Sequence, residues 1–182
     1  MVIKKYITDL LFSIPEYVYM GILSVLFICS VIIITTVGFK RGWRILSGIA
    51  LVIYIFLIYS FTVFFRTSTV NRTYNFRPFW SYEAFLNGEH RLMIYNAMNV
   101  IAFIPLGLLI GAAFRYVKWW QVLLIGILIS ASVEALQLYL NKGFAEIDDV
   151  FHNVLGCMIG FGLYFLMQEG LQKLSKNVDR TF

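Results

Sequence analysis

Apolar residues in this chain come in long unbroken runs, and polar residues are confined to the gaps between them. The runs extend from Tyr17 to Phe39, Ile45 to Phe65, Leu92 to Phe114, Trp119 to Leu140 and Val150 to about Met167. A helix crossing the hydrocarbon core needs about 20 mostly apolar residues, so the pattern predicts five transmembrane helices. Charges close most of them: Lys40, Arg41 and Arg44 after the first, Arg66 after the second, Arg115 and Lys118 after the third. Trp43, Trp80, Trp119 and Trp120 fall near the predicted span ends, where amphipathic rings anchor in the interface. Ahead of the first run, Met1 to Glu16 carries two lysines and a short apolar stretch broken by Asp9 and Pro15. It reads as an amphipathic interfacial segment rather than a signal peptide.

Composition strengthens this reading. The chain has 182 residues, of which 60% are hydrophobic and 14% charged, with mean hydropathy +0.78. Soluble domains carry about 25% charged residues, and one of this size could not bury so much apolar surface. The expectation is an all-α, polytopic membrane bundle forming a single membrane domain over residues 1–182, with a polar loop between spans two and three. The net charge of +5 resides largely in the breaks between spans, a pattern that orients membrane proteins rather than one that binds nucleic acid. Cys29 and Cys157 lie inside apolar runs without metal-ligand spacing and read as packing residues. The short basic breaks at 40–44 and 115–118 contain no acid. By the positive-inside bias they lie in the cytoplasm with the C-terminus, while the N-terminus and the long polar loop lie outside.

Span order then places the unusual polar residues at one membrane face. Asn96 and Asn99 begin span three, Glu134 and Gln137 end span four, and Asp148, Asp149, His152 and Asn153 begin span five. The separations of three and four residues put these pairs on common helix faces. Ionisable groups at membrane depth are costly, about 2.5–3.5 kcal/mol each on insertion scales, so a cluster of them suggests use. Plainer roles compete. Asp148 or Asp149 could simply cap span five. Glu134 could be half of a structural salt bridge with Arg66, Arg72, Arg77 or Arg91, or a functional acid. Asn153, Gly156 and Gly160 form a small-residue stripe suited to close helix packing, and Pro105 within span three is expected to kink it. Glu134, Asp148, Asp149 and His152 could in principle offer oxygen ligands to a divalent cation, but their spacing is not diagnostic, and neither a metal nor another cofactor is expected. His90 reads as a solvated loop residue. No Walker A loop, zinc-protease helix, Gly-x-Ser-x-Gly elbow or Cys-x-x-Cys pair occurs.

Three motifs in order carry a family resemblance: Asn99-Val-Ile-Ala-Phe-Ile-Pro-Leu-Gly107, then Glu134-x-x-Gln137, then Asp148-Asp149-x-x-x-Asn153-x-x-Gly156-x-x-x-Gly160. Together they resemble the VanZ-like family, over about residues 66–165. Its members often carry an arginine between the Gln and the acidic pair. Here Gly143-Phe-Ala-Glu146 stands in that region with Lys142 nearby, so Lys142 or an arginine of the long loop is expected to substitute. The resemblance implies a bacterial cell-envelope membrane protein linked to glycopeptide or lipoglycopeptide resistance, above all to teicoplanin.

Three functions follow as expectations. The first is binding of a membrane lipid, a lipid-linked wall precursor or the antibiotic at an outward polar pocket formed by Asn99, Glu134, Gln137, Asp148, Asp149 and Asn153, with Arg72 and Arg77 from the loop. The second is an intramembrane enzyme acting on a lipid phosphate or lipid-linked sugar, with Glu134, Asp148 or Asp149 as acid or base and the loop arginines holding phosphate. The third is an accessory subunit whose polar cluster is structural.

Overall fold

A computed structural model describes residues 25, 41–68 and 73–178 of the chain. The amphipathic segment, the first predicted span, Cys29 and Arg72 lie outside the described residues. The remaining four predicted spans are present as helices long and apolar enough to cross a membrane: Trp43–Phe64, Arg91–Ala113, Trp119–Leu140 and Ile147–Leu171. Their outward faces carry large apolar side chains such as Val52, Phe56, Leu128 and Leu166, each about two-thirds exposed, which only a lipid solvent accommodates.

Helix α1 (Arg41–Tyr59) passes directly into a π-helical stretch, Ser60–Phe64. There the Thr62 hydroxyl donates back to the Ile58 carbonyl at 2.7 Å, and Phe65 N–H reaches Ser60 O five residues earlier. The polar loop that follows contains strand β1 (Thr73–Asn75) and a short helix α2 (Trp80–Leu86). Helix α3 (Arg91–Ala113) runs without a break through Pro105, and helix α4 (Trp119–Leu140) follows. Strand β2 (Phe144–Glu146) leads straight into helix α5 (Ile147–Val178). The last helix thus begins a few residues before the predicted start at Val150, so that Asp148 and Asp149 occupy its first turn.

The small-residue stripe has a direct structural meaning. A Cβ at Gly107 would stand 1.7 Å from Cys157 O, one at Gly156 2.0 Å from Val100 O, and one at Gly160 1.9 Å from Ile104 O. Helices α3 and α5 therefore meet backbone to backbone, which no larger residue permits, and Cys157 is a fully buried free thiol in the same contact. Helix α1 is tied to α3 by Tyr54, whose hydroxyl donates to Ala102 O at 2.6 Å. The hydroxyls of Tyr59 and Ser132 join α1 to α4. These contacts form one apolar core around Phe103, Leu106, Ile110, Val122, Val133 and Phe161.

Sequence periodicity does not reveal the pairing of β1 with β2. The two strands are parallel, in register Thr73 with Phe144, Tyr74 with Ala145 and Asn75 with Glu146. Thr73 Oγ1 adds a bond to Gly143 O at 3.0 Å. A two-stranded, three-residue pair is marginal alone. Here it stitches the polar loop onto the segment joining α4 to α5.

Candidate functional site

The stitched loop and the ends of three long helices converge on the polar residues. Asp148 is only 2% exposed. Its carboxylate accepts Phe79 N–H at 2.6 Å, Ser81 N–H at 3.1 Å and the Ser81 hydroxyl at 2.6 Å. Phe79 takes the left-handed conformation (φ 60°) that starts α2, so Asp148 caps that helix from across the fold. Asn96 Nδ2 completes the knot by donating to Ser81 Oγ at 3.0 Å. Beside it, the buried His152 holds the Tyr82 hydroxyl at 2.8 Å through Nε2, with the two rings stacked. All the acceptor strength of Asp148 visible here serves loop anchorage.

Asp149 turns to a different set of neighbours. Its side chain is hydrogen-bonded by Asn99 and feels the charges of Arg66 and Asp148. Glu134 is buried at 7% exposure, accepts Glu146 N–H through Oε2 at 3.0 Å, and lies within electrostatic reach of Asp149, Arg66 and Glu146. The Glu146 carboxylate accepts Trp80 Nε1–H at 3.0 Å. Burial, together with the charge of Asp149, raises the Glu146 carboxyl from an ordinary 4.5 to about 7, against the opposing effects of the Trp80 bond and Arg66. Glu134, Glu146 and Asp149 thus form a carboxylate group around which Arg66 is the shared cation.

Arg66 was only one of four possible partners by sequence. Its guanidinium lies over Gly143, whose φ of 102° excludes most side chains and where a Cβ would sit 2.7 Å from Arg66 Nη1. Lys142 does not replace it: Lys142 Nζ donates to the Arg66 backbone carbonyl at 2.7 Å and so pins the chain that carries the guanidinium. Arg77, expected at the pocket, instead pairs with Glu83 at 2.8 Å with both side chains more than half exposed. That surface pair contributes little, about 0–1 kcal/mol. Arg72 lies outside the described residues.

Gln137 and Asn153 flank the carboxylates, one turn of α4 further toward the membrane surface and one turn of α5 deeper, respectively. Gln137 Nε2 donates to Thr62 O at 3.0 Å, and Asn153 Nδ2 donates to Ser130 Oγ at 2.9 Å. Each of their amide oxygens is buried without a partner. His90 is exposed in the loop. Among the described residues, no three His, Cys, Asp or Glu side chains converge to hold a metal ion. Glu146, Ser81 and Ser130 are the participants that spacing rules overlooked, and Arg66 was singled out only as one of four candidate partners of Glu134. Only the charge of Glu146 beside the acidic pair offered a signal.

These features define a polytopic helical membrane protein with a buried polar cluster at one end of its bundle. Residues 49–168 match the VanZ/LLP1 family, and the chain belongs to that family. The match reaches back beyond residue 66 to take in most of α1. The chain is also 31% identical over 110 residues to "Protein VanZ" of Enterococcus faecium, covering 60% of this chain and 62% of that protein. No solved structure matches it.

Proposed function

We propose that this chain is a bacterial cell-envelope protein that contributes to teicoplanin-type glycopeptide resistance by binding a ligand at its polar end. The ligand is a membrane lipid, a lipid-linked wall precursor or the antibiotic itself. One observation above all supports this reading: Glu134, Glu146 and Asp149 are gathered from α4, β2 and α5 around Arg66, yet none is at ion-pair distance from it. Three carboxylates are more than a single structural salt bridge requires, and keeping Glu134 buried within a span is costly. Asp148, by contrast, is fully engaged in anchoring the loop and leaves the binding set.

Replacing Glu134 tests the reading. Glu134→Gln keeps an oxygen to accept Glu146 N–H and removes the charge. The variant is expected to express and melt nearly as the parent does, while losing protection in a teicoplanin susceptibility assay. A folded and fully protective variant would remove Glu134 from the site, and a misfolded one would favour a structural role. Native mass spectrometry of gently purified protein should also show a co-purifying lipid-sized mass.

The orientation that makes the polar end outward follows from the basic loop at 115–118 lying in the cytoplasm. A cysteine at Asn87, in the polar loop, should react with an impermeant thiol reagent in intact cells, and one at Ser175 should not. The opposite labelling pattern would invert the topology and turn the site to the cytoplasm.

A further inference from the structure

The proposed site has a marked imbalance between hydrogen-bond acceptors and donors. Glu134, Glu146 and Asp149 supply carboxylate oxygens, while the donors turned on them are few: Glu146 N–H, Trp80 Nε1–H and the Asn99 side chain, with Arg66 held beyond direct pairing. A second, independent feature points the same way. Gln137 and Asn153 are 3% and 5% exposed, and in both the amide nitrogen is engaged while the amide oxygen is buried with no donor. Gln137 shares a face of α4 with Glu134, three residues away. Asn153 shares a face of α5 with Asp149, four residues away, and its bond to Ser130 closes α5 on α4 one turn below Glu134. The two residues thus stand one turn to either side of Glu134 and Asp149 along α4 and α5. An unpaired buried acceptor is costly, and two of them beside three carboxylates that each receive a single donor call for a partner that brings N–H donors and positive charge.

We propose that the ligand group received between Glu134 and Asp149 is a primary ammonium, and not the phosphate that the arginines of the loop first suggested. This rests on the ligand-binding reading above and deepens it. A phosphate would need cations, and among the described residues Arg77 is engaged with Glu83 at the surface and Lys142 with the Arg66 carbonyl, leaving Arg66 as the one cation that acts on all three carboxylates. A quaternary ammonium carries charge but no N–H, so it cannot donate to the Glu134 and Asp149 carboxylates. The group could arrive on a membrane lipid or on a free amine.

Chain-matched probes separate these cases. Purified protein in one detergent would be melted with dodecylammonium, dodecyltrimethylammonium and dodecyl phosphate, and separately with phosphatidylethanolamine and with free ethanolamine. Dodecylammonium should raise the melting temperature saturably, and the other two dodecyl probes should not. Phosphatidylethanolamine acting alone among the last two would assign the amine to a membrane lipid, whereas ethanolamine acting as well would assign it to a free amine. Asp149→Asn and Glu134→Gln should each weaken the dodecylammonium effect by about tenfold to a hundredfold in concentration, the size expected for one charge-assisted hydrogen bond. Lys118→Gln, at the other end of the bundle, should leave it unchanged. Stabilisation by dodecyl phosphate that depends on Arg66 would overturn the ammonium assignment yet keep a ligand site. Equal effects of the ammonium and trimethylammonium probes would reduce it to unspecific charge attraction. No effect from any probe, with no co-purified mass, would end both readings.

Discussion

The two ends of the bundle are built on opposite principles. At the polar end, residues 73–90 are folded back by β1, by Asp148 and by Trp80, and charged and amide side chains lie buried in hydrogen-bonded contacts. At the other end, α3 and α4 are joined only by Phe114 to Lys118, and Arg115, Lys118, Trp119 and Trp120 stay exposed beside an apolar groove floored by Met158 and Phe161. The second end needs little more than interfacial anchoring, for which snorkelling cations and exposed indoles suffice. The first end desolvates ionisable groups, so nearly every donor and acceptor there must be placed by another element. Tertiary constraint, not composition, therefore marks the end where function is expected: both ends are rich in charge, but only one holds its charge inside.

The sharpest way to break this contrast is to remove the tertiary cap. Asp148→Ala leaves Phe79 N–H, Ser81 N–H and the Ser81 hydroxyl without their acceptor and should destabilise the protein by about 3–5 kcal/mol, read as a lower melting temperature and early proteolysis of the loop. Lys118→Ala at the opposite end should change stability by no more than about 0.5 kcal/mol. Comparable losses from the two substitutions would show that the ends are not differently built.

A smaller effect is expected where the backbone makes room for Arg66. Gly143→Ala places a Cβ against Arg66 Nη1 at φ 102° and should cost about 1–2 kcal/mol, while displacing the guanidinium from the carboxylates. Its fingerprint is a loss of teicoplanin protection out of proportion to the loss of stability. A variant that melts lower yet protects fully would show that Arg66 need not be held there.

The mildest test uses pH. The Glu146 carboxyl binds its proton more tightly in the folded chain, with a value near 7 against an ordinary 4.5. Folded protein therefore holds more protons than unfolded protein within that window, and the contribution of Glu146 to stability falls as pH rises from about 4.5 to 7, then levels off. Melting temperatures measured across this range should decline less steeply in Glu146→Gln than in the parent. Parallel profiles would mean that Glu146 is not desolvated as its surroundings imply.

Much of the architecture was legible without coordinates. The runs at 45–65, 92–114 and 119–140 fall within two residues of the helices observed, because span length and hydropathy answer to the bilayer rather than to neighbouring helices. The Asn153–Gly156–Gly160 stripe was readable for a similar reason, since glycine spacing at four residues signals a close helix contact wherever it occurs. Span order also brought Asn99, Glu134, Gln137, Asp149 and Asn153 to one face.

Other features could not be read in this way. Nothing in residues 73–75 or 144–146 announces a parallel pairing between segments about 70 positions apart. Asp148 and Asp149 are neighbours of the same type, and only the fold sends one to the N-terminus of α2 and the other toward Asn99 and Glu134. Arg66 and Arg77 looked equivalent, yet the turn at Gly143 and the hold of Lys142 set one, itself exposed, beside the carboxylates, while Glu83 engages the other. The sequence by itself determined what must lie in lipid and at which end the polar residues gather, because solvent partition depends on local composition. Only the tertiary structure decided which of those residues anchor the loop and which gather as carboxylates around Arg66, because that choice depends on directional hydrogen bonds between segments far apart in the chain.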